Sequence, residues 1–246
     1  MTNDSIPART VHFILNSKGG VGKSFVAFLL AQYYRQLGEP LLSFDADATT
    51  ATFSSFAALK VTRIALMEGT ILNARHFDVM LEPILTEDAH RVVDTGTSSF
   101  VAISHYLIEN DVHEQIRDCG KTVIVHAIIV GGATLKETLN DLDELAKQLP
   151  DEVEIVVWLN EHFGLIKEGG KTFRDMAVYK AHAERIRGVV HLPLRTAATF
   201  GEDVKEMVKR HLTFEEAIGS PEFTLMAKQR LRIIEADLQA KLSAVL

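Results

Sequence analysis

Short apolar-rich runs recur along the chain, at positions 11–15 (VHFIL), 40–44 (PLLSF), 91–93 (RVV), 122–130 (TVIVHAIIV), 154–159 (EIVVWL) and 188–192 (GVVHL). Several are nearly continuous rather than alternating, as strands covered on both faces are; a strand with one wet face alternates. Between the runs lie stretches with helical character: Phe25 to Leu37, Phe100 to Leu107, Leu135 to Leu149, Thr172 to Glu184 and Phe200 to His211. Thr134 with Glu137, and Thr213 with Glu216, have the Thr-x-x-Glu spacing of capping boxes and predict helix starts. From about residue 222 the tail reads as one long helix, with Leu231, Ile234, Leu238, Leu242 and Val245 on one face. Strand–helix alternation of this kind predicts an α/β fold. The expected form is a doubly wound, mostly parallel sheet with helices on both faces and ligands at the carboxyl ends of the strands. No repeat, low-complexity tract or linker divides the chain, so residues 1–246 read as a single domain with a C-terminal helical tail.

Composition narrows the function more than the fold. Apolar residues make up 47% of 246, enough for a sizeable core. The net charge of −7 opposes broad adhesion to DNA or anionic membrane, while leaving room for a local basic patch. The single cysteine, Cys119, excludes an internal disulfide and any Cys-x-x-Cys metal or cluster site; a reducing compartment fits. The first ten residues, MTNDSIPART, are polar and carry no signal-peptide core. No apolar run approaches the ~20 residues that span a bilayer. The expectation is a cytoplasmic protein without stable membrane insertion.

Candidate chemistry begins where the first run ends, in Ser17-Lys18-Gly19-Gly20-Val21-Gly22-Lys23-Ser24. A glycine loop between an apolar strand and an amphipathic helix is the context of a phosphate loop. Gly19, Gly20 and Gly22 let successive N–H groups curl inward, and the following helix adds the positive end of its dipole. Lys23 would reach the β- and γ-phosphates, and the Ser24 hydroxyl would hold Mg²⁺. The second run ends in Asp45-Ala46-Asp47, which places two carboxylates at the ligand edge of a parallel sheet; an Asp pair capping the next segment also accounts for them. The third run ends in Asp94-Thr95-Gly96. An apolar strand closing on Asp is the Walker B pattern, with Asp94 holding Mg²⁺ through water, and Gly96 allows backbone to approach the γ-phosphate. His126 and Trp158, each inside an apolar run, read as core residues.

The string Lys-Gly-Gly-x-Gly-Lys-Ser at 18–24 resembles the deviant Walker A loop of the ParA/MinD family of P-loop ATPases, with Ser17 at the variable first position. The resemblance covers about residues 10–200. It implies binding of ATP or ADP with Mg²⁺, contacted by Lys18, Gly19, Gly20, Val21, Gly22, Lys23, Ser24 and Phe25. It also implies an ATP-dependent homodimer in which Lys18 reaches the partner's phosphates, much as an arginine finger does. Lys18, Lys23 and Asp47 are then the expected catalytic residues. By the same match Ser24, Asp45 and Asp94 attend the metal, and Asp47 orients or deprotonates the attacking water. Asn160 and Pro193 match segments that flank adenine in the family; an Asn turn and a strand-ending proline explain them as well.

Further strings, among them DTGTSSFVAISHYLIENDV, HAIIVGGATLKETL and HLTFEEA, resemble the TraL group of conjugal transfer proteins within that family. This implies a slowly hydrolysing switch that supports plasmid conjugative transfer, with conjugative transfer or type IV secretion proteins as partners. Two alternatives stay open. A partition ATPase would bind DNA through Arg185, Arg187, Lys205, Lys209 and Arg210, and the acidic balance ranks it second. A metabolic enzyme of the same fold would hold a small substrate above the γ-phosphate. MinD-like relatives use a terminal amphipathic helix to bind membrane. Here the polar face mixes Arg230, Arg232, Glu235, Asp237 and Lys241, so packing on the ATPase core is expected instead.

Overall fold

The structure, a computed structural model, describes residues 9–246. Most of the polar N-terminal stretch, residues 1–8, lies outside the described residues. Seven strands form one sheet: β1 (Thr10–Ile14), β2 (Leu41–Ala46), β3 (Thr62–Arg63), β4 (His90–Thr95), β5 (Thr122–Val130), β6 (Glu154–Asn160) and β7 (Ile186–Leu192). Their order is β7-β6-β5-β1-β4-β2-β3, and every pairing is parallel. The apolar runs supply six of these strands, and the two-residue β3 at the edge is an addition. Chain order reverses around β1, which lies between β4 and β5. This is the topological switch point, where α/β sheets open a ligand crevice.

Pleating sends alternate β1 residues to opposite faces. Val11 and Phe13 join a core with α2 (Asp78–Thr86), α3 (Thr97–Glu109), α4 (Val112–Asp118), α5 (Leu135–Gln148) and α6 (Ala177–His182). Ile14 joins the opposite core with α1 (Lys23–Leu37), α7 (Glu202–Lys209), α8 (Phe214–Gly219) and α9 (Leu225–Ser243). The tail therefore packs on the domain as expected: Leu231, Ile234, Leu238 and Leu242 of α9 are buried in the core that α1 shares. Among the described residues no helix is long and apolar enough to cross a membrane.

Several helix expectations need correction. The stretch from Thr172 to Glu184 is not one helix. Thr172 and Asp175 form a capping box over a single tight turn, extended backbone at Met176 breaks it, and α6 spans only six residues. α7 is shorter than expected, because Ala197–Gly201 forms a π turn ahead of it. α2 forms despite Pro83, which lacks the N–H that an interior helical residue donates. Thr213 and Glu216 make the capping box their spacing predicts, whereas Thr134 and Glu137 do not. The Thr134 hydroxyl makes no cap bond, and Glu137 turns toward the glycine loop instead.

The core beneath the loop is polar along one line. Trp158 Nε1 donates to His126 Nδ1 (2.8 Å), and His126 Nε2 lies 2.8 Å from His12 Nδ1. His12 Nε2 contacts Thr10 Oγ1 and Tyr34 Oη, both at 2.7 Å. Thr10 Oγ1 lies 2.7 Å from His90 Nδ1, which also accepts from the Thr10 backbone N–H. The indole N–H only donates, so the tautomers follow in order. His126 carries its proton on Nε2 and donates to His12; His12 carries its proton on Nε2 and donates onward. His126 and Trp158 are thus satisfied core residues, as the sequence suggests. Burial holds both His12 and His126 well below the ordinary imidazole range, His126 at about 3.

Candidate functional site

β1 and α1 are joined by the glycine loop, and the chain turns there through two residues in the left-handed region, Gly20 (φ +76°) and Gly22 (φ +105°). Gly22 is the N-cap of α1, no side chain caps that end, and no acidic residue lies in the first turn. The first N–H groups and the positive pole of a 15-residue helix are left facing the loop. The root of the loop is tied down. Asn16 is fully buried and bonds both polar groups of Ile128 on β5: its Oδ1 accepts from the N–H (2.7 Å) and its Nδ2 donates to the carbonyl (3.1 Å). On the other side Asn160 Nδ2 donates to the Val21 carbonyl (3.0 Å).

Lys23 folds into the loop. Its Nζ donates to the Lys18 carbonyl (2.9 Å) and to Thr97 Oγ1 (3.0 Å), the first residue of α3. Burial lowers its pKa, and Asp94, Asp47 and Asp141 oppose that shift. Lys18 points elsewhere. Its ammonium lies 2.6 Å from Glu137 Oε2 on α5, with 40% of its side chain exposed.

Asp45 and Asp94 sit opposite each other in the β2–β4 register. Asp94 is 1% exposed, and neither of its carboxylate oxygens has a hydrogen-bond partner. Burial pushes its pKa up to about 7, Asp45 adds to the rise, and the Ser24 hydroxyl and Lys23 pull the other way. An orphaned buried carboxylate beside a serine hydroxyl is a donor pair that a divalent cation would complete, while the neighbouring Lys23 ammonium supplies charge and no ligand. Mg²⁺ is held by one or two protein groups together with water and phosphate oxygens, a number that Asp94 and Ser24 could supply.

Asp45 is occupied differently. Its Oδ1 accepts from the Asp47 N–H (3.1 Å) and its Oδ2 from the Ser54 N–H (2.9 Å), so it shapes the loop that follows β2. Asp47 accepts from the backbone N–H and the hydroxyl of both Thr49 and Thr50. Burial would raise the Asp47 pKa, but these bonds outweigh it and hold the group below the ordinary carboxylate value. A carboxylate so stabilised is a weak proton acceptor and a good fixed hydrogen-bond acceptor. Asp47 also presses on Gly96: a Cβ there would overlap Asp47 Oδ1 and lie 3.0 Å from its Cα. Only glycine allows the two strand ends to meet.

Farther along the same edge, Leu192 pairs with Asn160, so Pro193 follows directly beside it. The structure thus brings the glycine loop, Asp45, Asp47 and Asp94 together at the carboxyl ends of β1, β2 and β4, with Asn160 and Pro193 on the flank. It adds four residues that the sequence reading missed: Asn16, Thr97, Glu137 and Asp141. Thr97 could have been suspected from its place just after Gly96. The others carry no local signal, because their partners are distant in the chain.

The basic residues proposed for DNA contact are mostly neutralised or bound internally. Arg185 donates to the carbonyls of Ala146 and Pro150. Arg187 pairs with Glu154 (2.5 Å) and donates to the carbonyls of Val245 and Leu246. Lys205 pairs with Glu202, and Arg210 with Glu206 and Glu222. Among the described residues, Lys209 is the member of that set with no such partner.

Residues 12–211 match the model of the CobQ/CobB/MinD/ParA nucleotide binding domain. A protein described as TraL from Escherichia coli is 39% identical over 232 residues, which cover 94% of this chain and 96% of that protein. Among solved structures, the MinC:MinD cell division protein complex of Aquifex aeolicus aligns with a TM-score of 0.55 at 11% identity, over 96% of each chain. A ParA family ATPase from Chlorobium tepidum aligns with a TM-score of 0.52 at 11% identity, over 93% of this chain and 98% of that one. At such identities the structural likenesses speak to the fold alone.

Proposed function

This chain belongs to the CobQ/CobB/MinD/ParA nucleotide-binding family, and on that premise we propose that it is an ATP-dependent switch that dimerises around nucleotide, hydrolyses it slowly and supports conjugative DNA transfer. The observation that carries the switch reading is the divergence of the two loop lysines. Lys23 is folded into the phosphate cradle, while Lys18 extends away from it toward α5. A lysine placed outside its own cradle is suited to a second subunit's nucleotide.

In this reading Lys23 leaves Thr97 and the Lys18 carbonyl for the β- and γ-phosphates, helped by the inward N–H groups of the loop. Ser24 and Asp94 would hold the metal, and Asp45 fixes the neighbouring loop from behind. Bound with the nucleotide, Mg²⁺ would offset charge on the β- and γ-phosphate oxygens. Asp47 orients the attacking water by accepting a hydrogen bond, as its lowered pKa suits. Lys18 of a second copy adds the positive charge that stabilises the transition state. Asn160 and Pro193 border the base; the Asn160 amide keeps one N–H beyond its bond to Val21. The conjugative role follows the resemblance to TraL proteins, and the cytoplasmic face of a transfer apparatus is the matching location.

Light scattering with Mg²⁺ and a non-hydrolysable ATP analogue tests the switch. The mass should double with the analogue, stay single with ADP, and stay single for Lys18→Ala with either. A monomer at saturating analogue defeats the reading.

A further inference from the structure

Lys18 is engaged within the single chain. Its ion pair with Glu137 spans 2.6 Å. One turn further along α5, Asp141 receives two hydrogen bonds from Ser17, from the backbone N–H (3.1 Å) and from Oγ (2.5 Å). Positions 137 and 141 are four apart and share a helix face. One face of α5 therefore grips two consecutive residues of the glycine loop. The roles differ. Asp141 fixes backbone, whereas Glu137 holds only the side-chain cation. Helix initiation does not explain the Glu137 orientation, since the capping bond its spacing permits is not made. Nor does burial, because the two side chains are 40% and 55% exposed.

We propose that Glu137 is a latch that keeps Lys18 on its own subunit and sets the threshold for the trans contact; this rests on the dimer reading above. Glu137 and a partner's triphosphate are two anions competing for one cation. The intramolecular carboxylate holds the lysine until a stronger anion comes within reach. A γ-phosphate adds the charge that tips this competition, and a diphosphate lacks it. Each dimer opens two latches. Exposed pairs of this kind are individually weak, so their joint removal should tighten the dimer roughly twofold to thirtyfold.

Sedimentation of the full chain across protein concentrations, with Mg²⁺ and the ATP analogue, reads the dimer dissociation constant directly. Glu137→Gln keeps the shape and removes the charge. The expected result is tighter dimerisation by that factor, unchanged ADP affinity, and no gain when Glu137→Gln is combined with Lys18→Ala. If wild type dimerises and Glu137→Gln dimerises equally or more weakly, the latch is overturned while the switch reading stands. If Glu137→Gln produces an analogue-dependent dimer in the Lys18→Ala background, which alone stays monomeric, the effect does not pass through Lys18 and the latch is likewise overturned. If neither protein dimerises with the analogue, the switch reading fails and takes the latch with it.

Discussion

The histidine chain under the loop makes stability depend on pH in a way that can be worked through. In the fold, His126 is neutral: its Nδ1 accepts from Trp158 and its Nε2 proton faces His12. Protonation would set an N–H against the Trp158 N–H, inside a fully buried core. A folded pKa of about 3 lies below the unfolded value of about 6.5. The unfolded chain therefore binds the proton first. The stabilisation is complete above pH 6.5 and is lost as pH falls from there toward 3. For His126 alone the loss reaches about 2 kcal/mol at pH 5. His12, shifted in the same direction, adds to it. Asp94 works in the opposite sense. Its folded pKa of about 7 lies above the unfolded value of about 3.9, so its cost at neutral pH is relieved on acidification. Between pH 7.5 and 5 that relief is about 2.5 kcal/mol, and it masks the histidines in the wild-type protein. Asp94→Asn removes the mask. Urea unfolding in EDTA, followed by far-ultraviolet circular dichroism, should show Asp94→Asn losing about 2 kcal/mol or more between pH 7.5 and 5, with wild type losing distinctly less. An Asp94→Asn stability that stays level across that range would refute the neutral-chain assignment. Parallel curves for the two proteins would refute the raised Asp94 pKa.

Other consequences can be checked separately. Lys23→Ala should weaken ATP binding roughly tenfold to a hundredfold in calorimetry, the range expected for losing charge-assisted bonds to phosphate. Gly96→Ala should cost about 1–3 kcal/mol of stability through its collision with Asp47, and should depress phosphate release more than nucleotide binding, since Asp47 is displaced while Lys23 is not. Leu231→Ala, at a fully buried position on α9, should cost about 2–5 kcal/mol in chemical denaturation. A near-neutral result there would mean that the tail does not belong to the core.

The parallel sheet was legible because strands covered on both faces are nearly continuous apolar runs, and the interiors of β5 and β6 are, His126 apart. The phosphate loop was legible because its glycines, lysine and serine act within a few residues of one another. What stayed hidden depends on partners far apart in the chain. Glu137 has the right spacing to cap its own helix, and only the approach of α5 to the loop diverts it to Lys18, 119 positions earlier. His126 read correctly as a core residue, but its alignment with His12, Trp158 and His90 is a matter of strand order. β3 and the turn-broken segment around Met176 failed for the opposite reason: they are too short for periodicity to register.

The grip of Asn16 on both polar groups of Ile128 gives the loop a fixed datum. A nucleotide arriving here cannot signal by lifting its own cradle, because the cradle is bolted to the middle of the sheet on one side by Asn16 and on the other by Asn160. On the proposed switch reading, displacement would then fall to the parts around the loop that neither asparagine holds: the Lys18 side chain, the Asp47 turn and the start of α3. The protein would work as a stationary anvil with movable jaws, and anything that reads its nucleotide state must read the jaws.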